Sequence, residues 1–103
     1  MKTLILTTML LSSAFGETFE GHLMPSKCKN DDPKTHDRDC ALACQSSGFG
    51  VMTSKGEYVS FNPAGNAKAL EMLKESSKTS DLRVTVEGSR SGSVLNVESI
   101  QWR

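Results

Sequence analysis

The residues of this 103-residue chain that are best suited to chemistry follow Pro25 in a strongly polar segment. Three of them, His36, Cys40 and Cys44, are spaced at i, i+4 and i+8. If a helix begins at Pro33, these three side chains project from one face with a drift of about 40° per step. Cys28 can fold back from the preceding loop as a fourth donor. Three sulfurs and an imidazole form a recognised zinc set, and thiolate-rich sites also bind Cu(I).

The same cysteines also support a purely structural interpretation. In an oxidising compartment we expect a disulfide between Cys28 and either Cys40 or Cys44. Closing a loop of about 12 to 16 residues stabilises a protein by roughly 3 kcal/mol, which a small domain needs. The odd cysteine count leaves one thiol over. Three alternatives stay open: a disulfide-stapled binding module of unknown ligand, a metal-binding protein that uses copper or zinc, and a protein with redox-active thiols.

Two further side chains are candidates for a ligand-binding face. His22 lies on the predicted first strand, on the side opposite Phe19 and Leu23, and Arg90 lies in a predicted turn before the last strand. The sequence contains no G-x-S-x-G, H-E-x-x-H or phosphate-binding G-x-x-x-x-G-K-[ST] motif. We therefore expect a binding function and no enzymatic activity. Four acidic residues lack the spacing of a calcium loop and are interpreted as helix-starting and surface charges: Asp31, Asp32, Asp37 and Asp39.

The elements that must position these residues follow from the hydrophobic pattern. Alternation of polar and apolar residues predicts five strands, over residues 18–24, 49–53, 57–61, 82–87 and 95–102. A change of parity in the last strand predicts a β-bulge near Glu98 or Ser99. The cysteine-bearing helix is expected to begin at Asp32 and Pro33, with Thr35 as the alternative start. Ala67, Leu70 and Leu73 predict an amphipathic helix between the third and fourth strands.

This order of elements predicts a mostly β fold with two helices. Five strands with a helix between the third and fourth are the order of the OB-fold, a small, partly open barrel. We expect an OB-fold-like five-stranded barrel with a cysteine-bearing helical insert between strands 1 and 2. In that fold the usual ligand face lies near the loops between strands 1 and 2 and between strands 4 and 5, which here carry the insert and Arg90.

The beginning of the chain has the features of an export signal. Residues 1–16 read MKTLILTTMLLSSAFG, with one lysine, a short apolar run and small residues before Glu17. The apolar run is shorter than the ~20 residues that span a bilayer. We therefore expect residues 1–16 to be a signal peptide, residues 17–103 to form a single OB-like domain, and the protein to be exported, either periplasmic or secreted.

The charge balance limits the classes of partner. The chain has 12 Lys and Arg against 12 Asp and Glu, and the basic residues form no cluster. Nucleic acids and anionic membranes are recognised by basic surfaces, so neither is expected as a partner. The mature protein is expected to be a monomer.

Five short motifs resemble those of a group of small secreted bacterial proteins: G-H-L-M-P-S-K-C, H-D-R-D-C-A-L-A-C, G-E-Y-V, L-R-V-T-V-E-G and L-N-V-E-S-I. Proteins of this group are expected to form OB-like barrels with a cysteine near the first strand and a C-A-x-x-C helix. The resemblance implies the fold and the exported compartment rather than an activity. The positions that match are Cys28, Cys40 and Cys44, with His36 as a companion.

Overall fold

The computed structural model describes residues 16–103, which form five β-strands and two α-helices. The predicted signal peptide, residues 1–16, lies outside the described residues apart from Gly16. The strands are β1 (Glu17–Pro25), β2 (Phe49–Thr53), β3 (Tyr58–Phe61), β4 (Arg83–Ser91) and β5 (Val94–Trp102). The helices are α1 (Arg38–Ala43) and α2 (Pro63–Glu75), and short 3₁₀ helices cover Ser26–Cys28 and Gln45–Ser47. Neither α-helix of residues 16–103 has the length and apolar character that a membrane crossing requires.

The five strands form one closed sheet in the order β1-β2-β3-β5-β4. The sheet closes because β1 pairs with β2 along one half and with β4 along the other. β3 and β5 are parallel, and the other pairs are antiparallel. Gly21 belongs to both pairings of β1, opposite Thr53 and Val84. A Cβ atom there would collide with the backbone of Met52, so glycine permits the close approach of the strands. The prediction of a mostly β fold with two helices is confirmed.

The core lies inside the closed sheet and under α2. It is built from the inward-facing residues of the strands, such as Val51, Val84 and Leu95, which are fully buried. The buried residues of α2 are Gly65, Ala69 and Leu73, whereas Ala67 of the predicted apolar stripe is exposed. Position 65 requires glycine, because a Cβ atom there would collide with the side chain of Val97.

The hairpin of β4 and β5 contains the predicted bulge. Glu87 pairs with Ser99, and Gly88 pairs with Val97, so Glu98 is an extra residue on β5. This confirms the β-bulge expected near Glu98 or Ser99. The predicted turn around Arg90 is wrong, because β4 continues to Ser91 and β5 begins at Val94.

The cysteine-bearing helix begins later than predicted. The Asp37 side chain accepts a hydrogen bond of 2.7 Å from the Cys40 backbone N–H and thereby caps α1. The Asp32 side chain instead accepts from the Lys34 backbone N–H at 3.0 Å and forms a separate turn. His36 therefore precedes the helix, and the expected helical register of His36, Cys40 and Cys44 is wrong.

Candidate metal centre

Three metal-ligating side chains converge in the connection between β1 and β2, residues 26–48. A ring nitrogen of His36, a carboxylate oxygen of Asp31 and the Sγ atom of Cys28 all lie within 4.8 Å of one another. Two local turns bring them together. The Asp31 backbone N–H donates to the Cys28 carbonyl at 3.0 Å, and the His36 backbone N–H donates to the Asp32 carbonyl at 3.1 Å. The turns of this loop therefore position the three side chains, whereas the sequence pattern predicted that a helix would do so.

His36 is the buried member of this cluster. Its exposed fraction is 6%, and among the described residues neither Nδ1 nor Nε2 has a hydrogen-bond partner. A buried polar group without a partner costs about 1–3 kcal/mol, and native proteins contain few of them. An ion bound to one ring nitrogen would satisfy that atom. The burial of His36 beside a thiol and a carboxylate makes this position the candidate for a bound ion.

The Cys28 thiol holds its proton more tightly than a free cysteine does. Partial burial raises the pKa of the Cys28 thiol to about 11, and the nearby Cys44 thiol and Asp31 carboxylate add to the increase. Without a compensating charge the thiol therefore stays neutral at neutral pH. A bound cation favours the thiolate, which is the form that ligates metals.

The donor set of one sulfur, one oxygen and one nitrogen suits a divalent transition metal. Zinc binds cysteine at about 2.3 Å and histidine or carboxylate at about 2.0–2.2 Å, which places tetrahedral donors roughly 3.5 Å apart. Donors within 4.8 Å of one another would have to approach by about 1.3 Å at most. Copper(I) prefers sets richer in sulfur, so the carboxylate favours zinc.

The two remaining cysteines are placed differently: Cys44 lies beside Cys28, and Cys40 is not among the grouped donors. Cys44 follows α1, and its Sγ atom lies 3.8 Å from the Cys28 Sγ atom. Cys40 is exposed on α1 and is not part of the cluster around His36. All three thiols are free, and the 3.8 Å separation of Cys28 and Cys44 exceeds the roughly 2.05 Å of a disulfide bond. The disulfide stays a prediction, with Cys44 as the partner already beside Cys28.

His22 and Arg90, which were predicted to form a ligand face, each contact a different carboxylate. His22 Nε2 lies 2.7 Å from an oxygen of Asp81, and this hydrogen bond lowers the pKa of Asp81. Arg90 lies on β4 and forms a 2.6 Å ion pair with Glu57. His22 and Asp31 line a cleft of about 630 Å³, whereas Arg90 does not. Of the two predicted ligand-face residues, only His22 therefore shares a cleft with a member of the cluster.

The structure brings together only part of the predicted ligand set. Cys28 and His36 are in the cluster, Cys44 is beside it, and Cys40 is outside it. Asp31, interpreted from the sequence as a surface charge, is a member. Its position three residues after Cys28, one turn along the chain, is the signal that could have identified it. No protein-family model, curated protein or solved structure matches the chain.

Proposed function

We propose that the protein is a small non-enzymatic module that binds one divalent transition-metal ion, of which zinc is the best fit. The ligands are Cys28, Asp31 and His36. The observation that carries the proposal is the buried His36 ring, which has no hydrogen-bond partner among the described residues and lies within 4.8 Å of a thiol and a carboxylate. A buried histidine that serves only for packing ordinarily has hydrogen-bond partners, which His36 lacks, and a metal ion would bind one of its two nitrogens.

The chemistry of the ligands supports zinc over other biological cations. Calcium and magnesium prefer sites made entirely of oxygen, and the thiol and imidazole of this site argue against both. Three protein ligands leave a fourth position of a tetrahedral ion for water or another ligand. Asp31 lines the cleft that it shares with His22, so this cleft gives a small molecule or ion access to the site.

We also propose that the architecture is an OB-like barrel with a cysteine-bearing insert, and that the protein is exported. The strand order β1-β2-β3-β5-β4, the closed sheet and the helix between β3 and β4 support the first proposal. All three cysteines lie between β1 and β2, where the insert is expected. The lysine and apolar run of residues 1–16 support export.

A disulfide-stapled binding module without a metal is the second candidate function. The observation that favours it is the 3.8 Å separation of the Cys28 and Cys44 sulfurs. In this candidate the third thiol, Cys40, is the one left over, and its exposure at the protein surface agrees with that role. The two candidates require opposite states of Cys28, which is a free ligand in the first and an oxidised sulfur in the second.

A zinc titration of the reduced, purified protein distinguishes the two candidates. We expect stoichiometric zinc uptake in competition with a chromophoric chelator, and thiolate-to-metal charge transfer when cobalt replaces zinc. Cys28→Ser removes a ligand and should weaken zinc binding by roughly 10-fold or more. Cys40→Ser is the matched control, since Cys40 is exposed and outside the cluster, and it should bind zinc like the wild type.

The metal proposal is overturned if the reduced wild type takes up no zinc or cobalt. It is also overturned if Cys28→Ser and Cys40→Ser bind zinc with the same affinity as the wild type. Circular dichroism of both variants would establish that they remain folded, so that a loss of binding reports on the ligand itself.

A further inference from the structure

We infer that Cys28 and Cys44 form a redox pair whose oxidation to a disulfide releases the metal, so that zinc binding depends on the thiol state. The inference rests on the proposed metal function, because it assigns the regulation of the same site. Cys28 takes part in both arrangements: its sulfur belongs to the metal cluster and also lies 3.8 Å from the Cys44 sulfur. One sulfur cannot serve as a thiolate ligand and as a disulfide partner at once.

The backbone around the two sulfurs holds them side by side. The Ser26 backbone N–H donates to the Gly48 carbonyl at 2.9 Å, and the Lys27 backbone N–H donates to Ser47 Oγ at 3.2 Å. Ser47 Oγ in turn donates to the Cys44 carbonyl at 2.8 Å. The segments that carry Cys28 and Cys44 are therefore tied together independently of any metal or disulfide. The pairing of these two sulfurs is set by the fold.

The surroundings of the three thiols assign the roles within the pair. Cys44 lies beside Cys28 but outside the group of three metal donors. It is half-buried, which leaves part of the residue accessible to a small reagent. Cys40 is exposed on α1 and is not one of the three grouped donors. Cys44 is therefore the resolving thiol, and Cys40 takes no part.

The reaction is a thiol–disulfide exchange with a small-molecule disulfide as the oxidant. The Cys44 thiolate attacks one sulfur of the oxidant, which forms a mixed disulfide and releases one molecule of the small thiol. Cys28 then attacks the Cys44 sulfur, its bond to the metal breaks, and the second small thiol leaves. In total the loaded protein loses two electrons and the Cys44 proton, and it releases the metal ion. The oxidant becomes two thiols by taking up these electrons, the Cys44 proton and one proton from the solvent, because the metal-bound Cys28 thiolate carries no proton. Asp31 and His36 remain as a two-ligand set that holds zinc weakly.

The test follows zinc release from the loaded protein during oxidation with oxidised glutathione. We expect the wild type to release its zinc to a chromophoric indicator at the rate at which a Cys28–Cys44 disulfide appears in peptide mass mapping. Cys44→Ala should bind zinc when reduced and release it at least about tenfold more slowly in the presence of the oxidant. Cys40→Ala is the matched control and should behave like the wild type. Treatment with a dithiol reductant should restore zinc binding in the wild type.

Several outcomes overturn the redox inference alone. These are zinc release from Cys44→Ala at the wild-type rate, a disulfide that joins Cys28 to Cys40, and loss of zinc binding in reduced Cys44→Ala. Failure of the proposed function is distinguishable, because it is seen in the reduced wild type before any oxidant is added. The formation of the Cys28–Cys44 disulfide can be followed in the metal-free protein as well, so the pairing is tested in either case.

Discussion

The Sγ atom of Cys28 lies 3.8 Å from the Sγ atom of Cys44, although the two residues are 16 positions apart in the chain. The contact brings the start of the β1–β2 connection next to its end. Between them the chain folds back so that Asp31 and His36 reach the same place. A single short connection thus supplies every donor of the candidate metal centre, and the closed sheet acts as its support.

Replacing His36 by leucine should separate the metal function from stability. In the metal-free protein His36→Leu removes two buried, unpartnered nitrogen atoms, so the variant should be as stable as the wild type or more stable, by up to about 1–3 kcal/mol. For a domain of this size, each kcal/mol of added stability raises the melting temperature by about 4–8 °C. Zinc should raise the melting temperature of the wild type and leave that of His36→Leu unchanged.

His22→Leu is the control for the histidine prediction. It removes a ring that donates to the Asp81 carboxylate at 2.7 Å, so it should lower the melting temperature while zinc still raises it. A metal-free His36→Leu protein that melts well below the wild type would show that the His36 nitrogens have partners after all. Differential scanning calorimetry with and without zinc measures all of these quantities.

Asp31 and Asp32 are adjacent carboxylates with different expected roles. Asp31→Asn removes the negative charge of one ligand and should reduce zinc affinity by roughly 10-fold or more. Asp32→Asn keeps the side-chain oxygen that accepts from the Lys34 backbone N–H, so it should preserve both the turn and the zinc affinity. Isothermal titration calorimetry of the two variants provides the comparison. Equal zinc affinities in both would remove Asp31 from the ligand set.

Tyr58 should make the protein less stable in strong alkali. Burial raises the pKa of Tyr58 to about 12, against a hydrogen bond from Ser26 that lowers it, and the hydroxyl donates to the Met24 carbonyl at 3.1 Å. The folded state therefore holds this proton more tightly than the unfolded state, whose tyrosine titrates near pH 10. The contribution of Tyr58 to the free energy of unfolding is present in full below pH 10 and is lost as the pH rises to about 12.

The alkaline prediction can be checked directly because Tyr58 is the single tyrosine of the chain. Tyrosinate absorbance should rise near pH 12 in the folded protein and near pH 10 in denaturant. Tyr58→Phe should lose less stability than the wild type over that interval. A folded-state absorbance change centred at pH 10 would contradict the burial of this hydroxyl.

Much of the sheet could be predicted from the sequence, since a half-buried strand alternates polar and apolar residues with a strict period of two. The strand at residues 49–53 was predicted with the bounds that the structure has. The bulge at Glu98 was predictable for the same reason, because an extra residue reverses the parity of everything that follows it.

The start of α1 and the membership of the metal centre could not be predicted in this way. Asp32 and Asp37 are equally good N-terminal caps, and the choice between them depends on distant contacts. The Arg38 backbone N–H donates to the Thr79 carbonyl at 2.8 Å, which ties the beginning of α1 to the segment after α2. With the helix shortened, His36 turns into the interior and Asp31 becomes its neighbour. Neither relationship leaves a periodic signal in the sequence.

The double pairing of β1 has a consequence for solubility. A sheet with free edges exposes rows of unpaired backbone N–H and C=O groups, which are templates for the addition of strands from other molecules. Here β1 covers the edges of both β2 and β4, and Gly21 and His22 are the residues that pair with both. The effect of a larger residue at position 21 would therefore extend beyond its local clash with the backbone of Met52. If β1 detached, the edges of β2 and β4 would both be exposed and could pair with strands of other molecules. The expected result is self-association of the protein rather than simple unfolding.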